Sequence, residues 1–255
     1  RLLAAGVRVR YFDHHDAGAV IPMHAGFEAH VEESSRVCTS LLMDGCLHGR
    51  FRAWALVGAY GDNLAAVADS LAARSGFSAG ERRRLRRLGE AINYNAYGES
   101  LTDVCVAPAQ MYALMCRHAQ PLAMLAREPV IAAIETQRAD DLAHAARVQP
   151  HQHNAQASVL VLPDAPWSRR VIGDLANQLA NAQPKQAQAV LKTRADGDFV
   201  VSVRAPLNAP RGAGEFCARF GGAGRGGAAG IDDLPAHELA RFVDAFMAAW
   251  LPRPA

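Results

Sequence analysis

Near the start of the chain, "VRVRYF" (Val7 to Phe12) alternates apolar and basic residues and then runs straight into Asp13, His14 and His15. Strict alternation of β-branched and aromatic residues is the signature of a half-buried strand. Before it, "RLLAAG" reads as the tail of a helix stopped by Gly6. Helix tail, strand, then a carboxylate and two imidazoles place a polar cluster at the carboxyl end of a strand. That is where ligands bind in open α/β sheets. Adjacent residues on a strand point to opposite faces, but at a strand end turning into a loop all three side chains can meet. Imidazole is a common metal ligand, and a neighbouring carboxylate ligates or orients it.

Downstream, the pattern is that of an α/β protein. "AHVEES" reads as a second short strand, and Ser34 or Ser35 as the cap of the helix "RVCTSLLMDGCLHG". In "FRAWALVGAYGDN" the spacing of Ala53, Leu56, Val57 and Tyr60 favours a helix. "LAAVADSLAARSG" is a helix ending at Gly76, and the next helix puts Leu85, Leu88 and Ile92 on one face. Its arginines, Arg82, Arg83, Arg84, Arg86 and Arg87, read as a solvated face, because no aromatic residues interleave them for base stacking. Asp62 follows an apolar run, 48 positions after His14. By spacing alone it is equally a ligand delivered to a site by a buried element or the N-cap of the following helix.

With 255 residues, two domains are expected. The polar, non-periodic "QPHQHNAQ" marks their boundary, giving domains over 1–150 and 156–255; His151 and His153 belong to this surface linker. The second domain opens with the strand "ASVLVLP" and the helix "SRRVIGDLANQLANAQ". "AQAVLKT" and "DFVVSVRAP" then flank "RADG" as a hairpin, with Val200, Ser202 and Arg204 on one face and Phe199, Val201 and Val203 on the other. After the short helix "GAGEFCARF" comes "GGAGRGGAAGIDDLP", a loop leading to the amphipathic helix "AHELARFVDAFMAAWL". Glycine at this density inside a domain suggests a tight turn whose N–H groups form an anion nest, with Arg225 placed to fork onto a phosphate. No strand directly precedes it, so the dinucleotide fingerprint does not fit.

Composition excludes some classes. No apolar run approaches the roughly 20 residues of a membrane span, and the first residues lack the order of a signal peptide; the reading is a cytosolic protein. Five cysteines, an odd number without a CxxC pair, point to small buried residues, not a zinc or disulfide framework. A net charge of +2 decides nothing about a polyanionic partner.

Taken in order, "YFDHH", "GDN", "INYNAYG", "VSVRAP" and "GGAGRGGAAGIDDLP" resemble the DHH phosphoesterase superfamily with its C-terminal DHH-associated domain, over nearly the whole chain. The resemblance implies two α/β domains facing across a cleft: a DHH domain built on a parallel sheet, here partial, and a smaller mixed-sheet domain that binds substrate. It implies a hydrolase of phosphodiester or phosphoanhydride bonds in nucleotides, short oligonucleotides or related substrates. The alternative is a relative that holds nucleotide or nucleic acid without cutting it. The implied cofactor is Mn²⁺, or Mg²⁺, with two ions in the full-length protein. Residue by residue, His14, Asp62 and Asp13 match metal ligands, and His15 and Asp13 match catalytic residues, His15 contacting the scissile phosphate and Asp13 standing as the carboxylate neighbour of His14. Ser202, Arg204, Gly222, Gly224 and Arg225 match the substrate-binding positions. Arg225 stands where many relatives have histidine; as a permanent planar cation it suits anchoring a phosphate better than moving a proton. Partners are a phosphorylated small molecule or short single-stranded nucleic acid and no membrane; a homodimer stays open. Only twelve residues precede Asp13 and none is acidic, so the family's earlier carboxylate motifs are absent from this sequence. The expectation is a family member lacking its N-terminal part.

Overall fold

The structure, a computed structural model, describes residues 1–15 and 22–251. Two compact units form: Arg1–Asn93 with Pro108–Ala132, and Tyr94–Ala107 with Ala133–Ala255.

In the first unit, a short 3₁₀ turn ends at Gly6, whose φ of 75° is left-handed and suits glycine. Strand β1 (Val9–Asp13) then pairs in parallel with β2 (Phe27–Val31), and Asp13 lies opposite Val31 at the end of the ladder. Helices α1 (Thr39–Cys46), α2 (Arg52–Gly61), α3 (Ala65–Arg74), α4 (Ala79–Tyr94), α5 (Pro108–Cys116) and α6 (Pro121–Arg127) follow. The expected cap at Ser34 or Ser35 is not used. Ser34 instead closes its own turn, accepting the N–H of Arg36 through Oγ and that of Val37 through its carbonyl, and Cys38 stands at the N-cap. The spacing argument for α2 holds: Leu56, Val57 and Tyr60 are buried. Leu85, Leu88 and Ala91 of α4 are buried too, while Ile92 is only half-buried.

Two glycines let α2 and α4 approach. A Cβ on Gly89 would sit 2.3 Å from the Val57 carbonyl oxygen, and one on Gly61 would sit 2.9 Å from the Gly89 carbonyl oxygen. Both obstacles are backbone, so neither position accepts a side chain without moving a helix. Gly61 is the last residue of α2, and Asp62 follows it.

Helix α7 (Pro129–Ala145) leads into the second unit and brings Asp141 to it. The Asp141 carboxylate accepts from Arg170 Nε at 2.6 Å, Arg170 Nη2 at 2.9 Å and the Tyr94 hydroxyl at 2.5 Å. Asp141 is 2% exposed, so this is a paired and hydrogen-bonded buried charge. Burial alone would raise its carboxyl pKa, but the bonds from Arg170, Tyr94 and Gln137 outweigh burial and lower it.

The rest of the second unit is built on a six-stranded mixed sheet, ordered β3-β4-β5-β6-β8-β7. Its strands are β3 (Gln152–His153), β4 (Ala157–Leu162), β5 (Ala187–Thr193), β6 (Phe199–Arg204), β7 (Ala223–Gly224) and β8 (Ala228–Leu234). Only β4 and β5 are parallel; α8 (Pro166–Ala182) connects them, starting with proline, whose missing N–H costs nothing there. Phe199, Val201 and Val203 face a core that includes Phe216 of α9 (Ala213–Ala218) and Phe242 and Phe246 of α10 (Leu239–Ala249). The opposite face of β6 carries Ser202 and Arg204, as the period-2 reading requires.

Two segments differ from expectation. Gln152 and His153 form an edge strand on β4, where a linker is expected. "AAGIDDL", expected as loop, is strand β8 beside β6. Small residues suit that place, since a Cβ on Gly230 would stand 3.2 Å from the Val201 carbonyl oxygen. The cysteines also divide: Cys38 and Cys217 are buried, but Cys46 and Cys116, at helix ends, and Cys105, in a bend, are exposed.

Candidate functional site

Asp13 ends β1, and its carboxylate organises the turn that follows. Oδ1 accepts the backbone N–H groups of His14 at 2.7 Å and His15 at 3.2 Å, and the His15 ring at Nδ1, 2.8 Å away. Oδ2 accepts the hydroxyl of Tyr11 at 2.5 Å. Tyr11 is two residues back on the strand and therefore on the same face. These bonds, that of Tyr11 foremost, hold the Asp13 carboxyl well below the usual aspartate range despite partial burial. It is an anion at neutral pH.

His14 is buried and His15 exposed, their rings 4.1 Å apart. His14 Nδ1 lies 2.9 Å from Thr39 Oγ1 and accepts the Thr39 backbone N–H at 3.2 Å. Its other nitrogen, Nε2, is 3.4 Å from Asp62 Oδ2. Asp62 is the C-cap of α2; the N-cap of α3 is Leu64, so the capping role left open by spacing is not the one it takes. Asn63 after it takes a left-handed φ of 59°, which turns the chain sharply into α3.

Asp13, His14 and His15 each offer a ligand atom, all within 4.8 Å of one another. Together with Asp62 they make a set of hard carboxylate oxygens and imidazole nitrogens. That chemistry fits Mn²⁺ or Mg²⁺ and contains no thiolate to favour softer metals. Residues expected far apart in sequence thus converge in one unit.

In the second unit, Ser202 and Arg204 are joined directly: Arg204 Nη1 donates to Ser202 Oγ at 2.9 Å, and Arg204 Nε to Asn177 Oδ1 of α8 at 2.7 Å. The glycine-rich stretch is a hairpin, β7–turn–β8. Arg225 donates its backbone N–H to the Ala228 carbonyl at 2.8 Å, so that group closes the turn and does not serve the expected nest. The carbonyls of Arg225, Gly226 and Gly227 accept the N–H groups of Gly214, Ala213 and Ala205. Gly222 and Gly224 are needed for packing: a Cβ on Gly222 would be 2.2 Å from the Gly230 carbonyl oxygen, and one on Gly224 2.4 Å from Ala229 Cα. On the Arg225 side chain, Nη1 is buried and has no hydrogen-bond partner among the described residues.

Sequence reasoning missed three residues that matter here. Tyr11 was readable from the period of two. Thr39 and Asn177 were not, because only the tertiary fold brings them to His14 and Arg204.

No family model and no curated protein matches the chain. Among solved structures, a DHH domain from a protein described as a member of a family of ribosomal proteins superposes with a TM-score of 0.61 at 13% identity. The match covers 98% of this chain and 65% of that one, so the chain spans less than two thirds of that protein's length. A pGpG-specific phosphodiesterase from Vibrio cholerae superposes with a TM-score of 0.47 at 12% identity, over 91% of this chain and 80% of that one. At such identities the likeness is one of fold, and the first match agrees with the mixed α/β architecture expected from the motifs. Among the described residues, no helix is long and apolar enough to cross a membrane.

Proposed function

We propose that this chain, which has the fold of a DHH-domain protein, is a divalent-metal-dependent phosphoesterase acting on nucleotides, short oligonucleotides or related phosphorylated substrates. The observation that carries the reading is the convergence of Asp13, His14 and His15 with Asp62 across the sequence. Asp13, His14 and Asp62 would hold Mn²⁺ or Mg²⁺. Such an ion, when bound, lowers the pKa of water and neutralises phosphate charge.

The chain's own groups do the rest. Asp13 holds the turn in place through three hydrogen bonds to His14 and His15. His15 gives its Nδ1–H to Asp13, so its Nε2 donates to a phosphate oxygen when the ring is protonated. In the second unit, the buried Arg225 Nη1 supports phosphate anchoring, because an unsatisfied buried donor costs about 1–3 kcal/mol and a phosphate oxygen would relieve it. Ser202, Arg204, Gly222 and Gly224 supply the surrounding strand and hairpin. This second feature also favours a reading in which the chain holds a phosphorylated ligand without cutting it.

Manganese-dependent cleavage of a short, end-labelled oligonucleotide separates the two. The phosphoesterase reading expects cleavage that needs Mn²⁺ and disappears in His14→Ala. Metal-independent binding with no cleavage would leave the binding module.

A further inference from the structure

We infer that Thr39 is a positioning residue for His14, setting which ring nitrogen is offered to a cation; the inference rests on the metal-centre reading above. The ring nitrogen nearest Asp62 is Nε2, at 3.4 Å. A neutral imidazole that ligates through Nε2 must carry its proton on Nδ1, and that N–H needs an acceptor. His14 is 7% exposed, so the acceptor must come from the protein.

Thr39 offers both kinds of partner to the same nitrogen. Its backbone N–H, 3.2 Å from Nδ1, only donates, and so supports the tautomer with the proton on Nε2 facing Asp62. Its Oγ1, 2.9 Å from Nδ1, also accepts, and so supports the tautomer that frees Nε2 for a ligand. Thr39 is the first residue of α1, where backbone N–H groups have no partner inside the helix, which is why this one can reach a side chain. Ser40, next in α1, donates through Oγ to the Ala55 carbonyl of α2 at 3.0 Å. The start of α1 therefore holds the His14 ring on one side and, on the other, the helix that ends at Asp62.

Removing Oγ1 while keeping shape and N–H takes away the acceptor at 2.9 Å and leaves the Thr39 N–H donor at 3.2 Å, with Asp13 Oδ1 beyond hydrogen-bond reach at 3.9 Å. Thr39→Val should then keep the proton on Nε2 and block it as a ligand. Thr39→Ser keeps the hydroxyl. The experiment is Mn²⁺ titration followed by the free-ion paramagnetic resonance signal, with the His14 tautomer read from ¹⁵N–¹H spectra with and without Mg²⁺. Wild type should move from the Nε2–H to the Nδ1–H tautomer on Mg²⁺ binding. Thr39→Val should keep Nε2–H and lose at least tenfold in Mn²⁺ affinity, the order expected for a partner of a ligating histidine. Thr39→Ser should stay within about threefold, by the same principle that the retained acceptor keeps the ligand oriented. Thr39→Ala, which also removes Oγ1 and adds no methyl, should repeat the Val result if Val disturbs folding. Wild-type binding by both Val and Ala overturns this inference and leaves the metal centre standing. A wild-type protein that binds no Mn²⁺ overturns the metal centre and this inference with it.

Discussion

His14 Nε2 and Asp62 Oδ2 lie 3.4 Å apart, although one follows a strand and the other caps a helix 48 positions later. A carboxylate beside that nitrogen attracts a cation, whereas an amide of the same shape does so far less. Asp62→Asn should weaken Mn²⁺ binding at least tenfold, about 1.4 kcal/mol, with little change in the fold. Titration of Mn²⁺ against both proteins checks this, and equal affinities would remove Asp62 from the site.

Asp62 directly follows Gly61, which packs against the backbone of Gly89 in α4. In Gly89→Ala the new Cβ would meet the Val57 carbonyl oxygen at 2.3 Å and the Gly61 backbone nitrogen at 3.0 Å. Overpacking of this kind costs about 1–3 kcal/mol. Urea denaturation should show that loss, and Mn²⁺ affinity should fall with it because Asp62 is displaced. Loss of stability at unchanged Mn²⁺ affinity would mean that the glycine contact does not position Asp62.

Asp141 and Arg170 bind each other inside the second unit. Removing one partner of a buried pair costs about 3–5 kcal/mol, so Asp141→Ala should lose stability on that scale at pH 7. The Asp141 carboxyl has a folded pKa below its ordinary 3.8. Its contribution is therefore full above the ordinary value and is lost as pH falls through the folded value. The stability gap between wild type and Asp141→Ala, measured by urea midpoints, should narrow as pH drops below about 4. A gap that stays constant would show that the ion pair is not its source.

Phosphate binding by the second unit should not need metal. Calorimetry with a 5′-phosphorylated oligonucleotide in chelator should show affinity that drops in Arg204→Ala with Arg225→Ala, at about 1.5–3 kcal/mol for each charge-assisted bond lost. Arg83→Gln with Arg87→Gln in α4 should leave that affinity within about twofold, a few tenths of a kcal/mol. The reverse pattern would move the phosphate site to α4.

Strand β1 and the cluster after it were legible because alternation and a polar stop are local signals. The partnership of Tyr11 with Asp13 follows from the same alternation. Asp62 stood undecided between ligand and cap, since a carboxylate after an apolar run looks alike in both; the fold puts Leu64 at the N-cap of α3 and sets the Asp62 carboxylate 3.4 Å from His14 Nε2. Thr39 gave no signal, because its role exists only where α1 begins against the His14 ring. Strand β8 was hidden by its own composition. It opens on two alanines and a glycine, residues of low strand propensity.

The most direct test of the metal centre is Mn²⁺ titration of the wild-type protein beside His14→Ala, read by the free-ion paramagnetic resonance signal, with circular dichroism to confirm the fold. The account predicts saturable binding by the wild type and at least a tenfold weaker affinity in the variant, about 1.4 kcal/mol. Equal affinity in the two, with both folded, would contradict it.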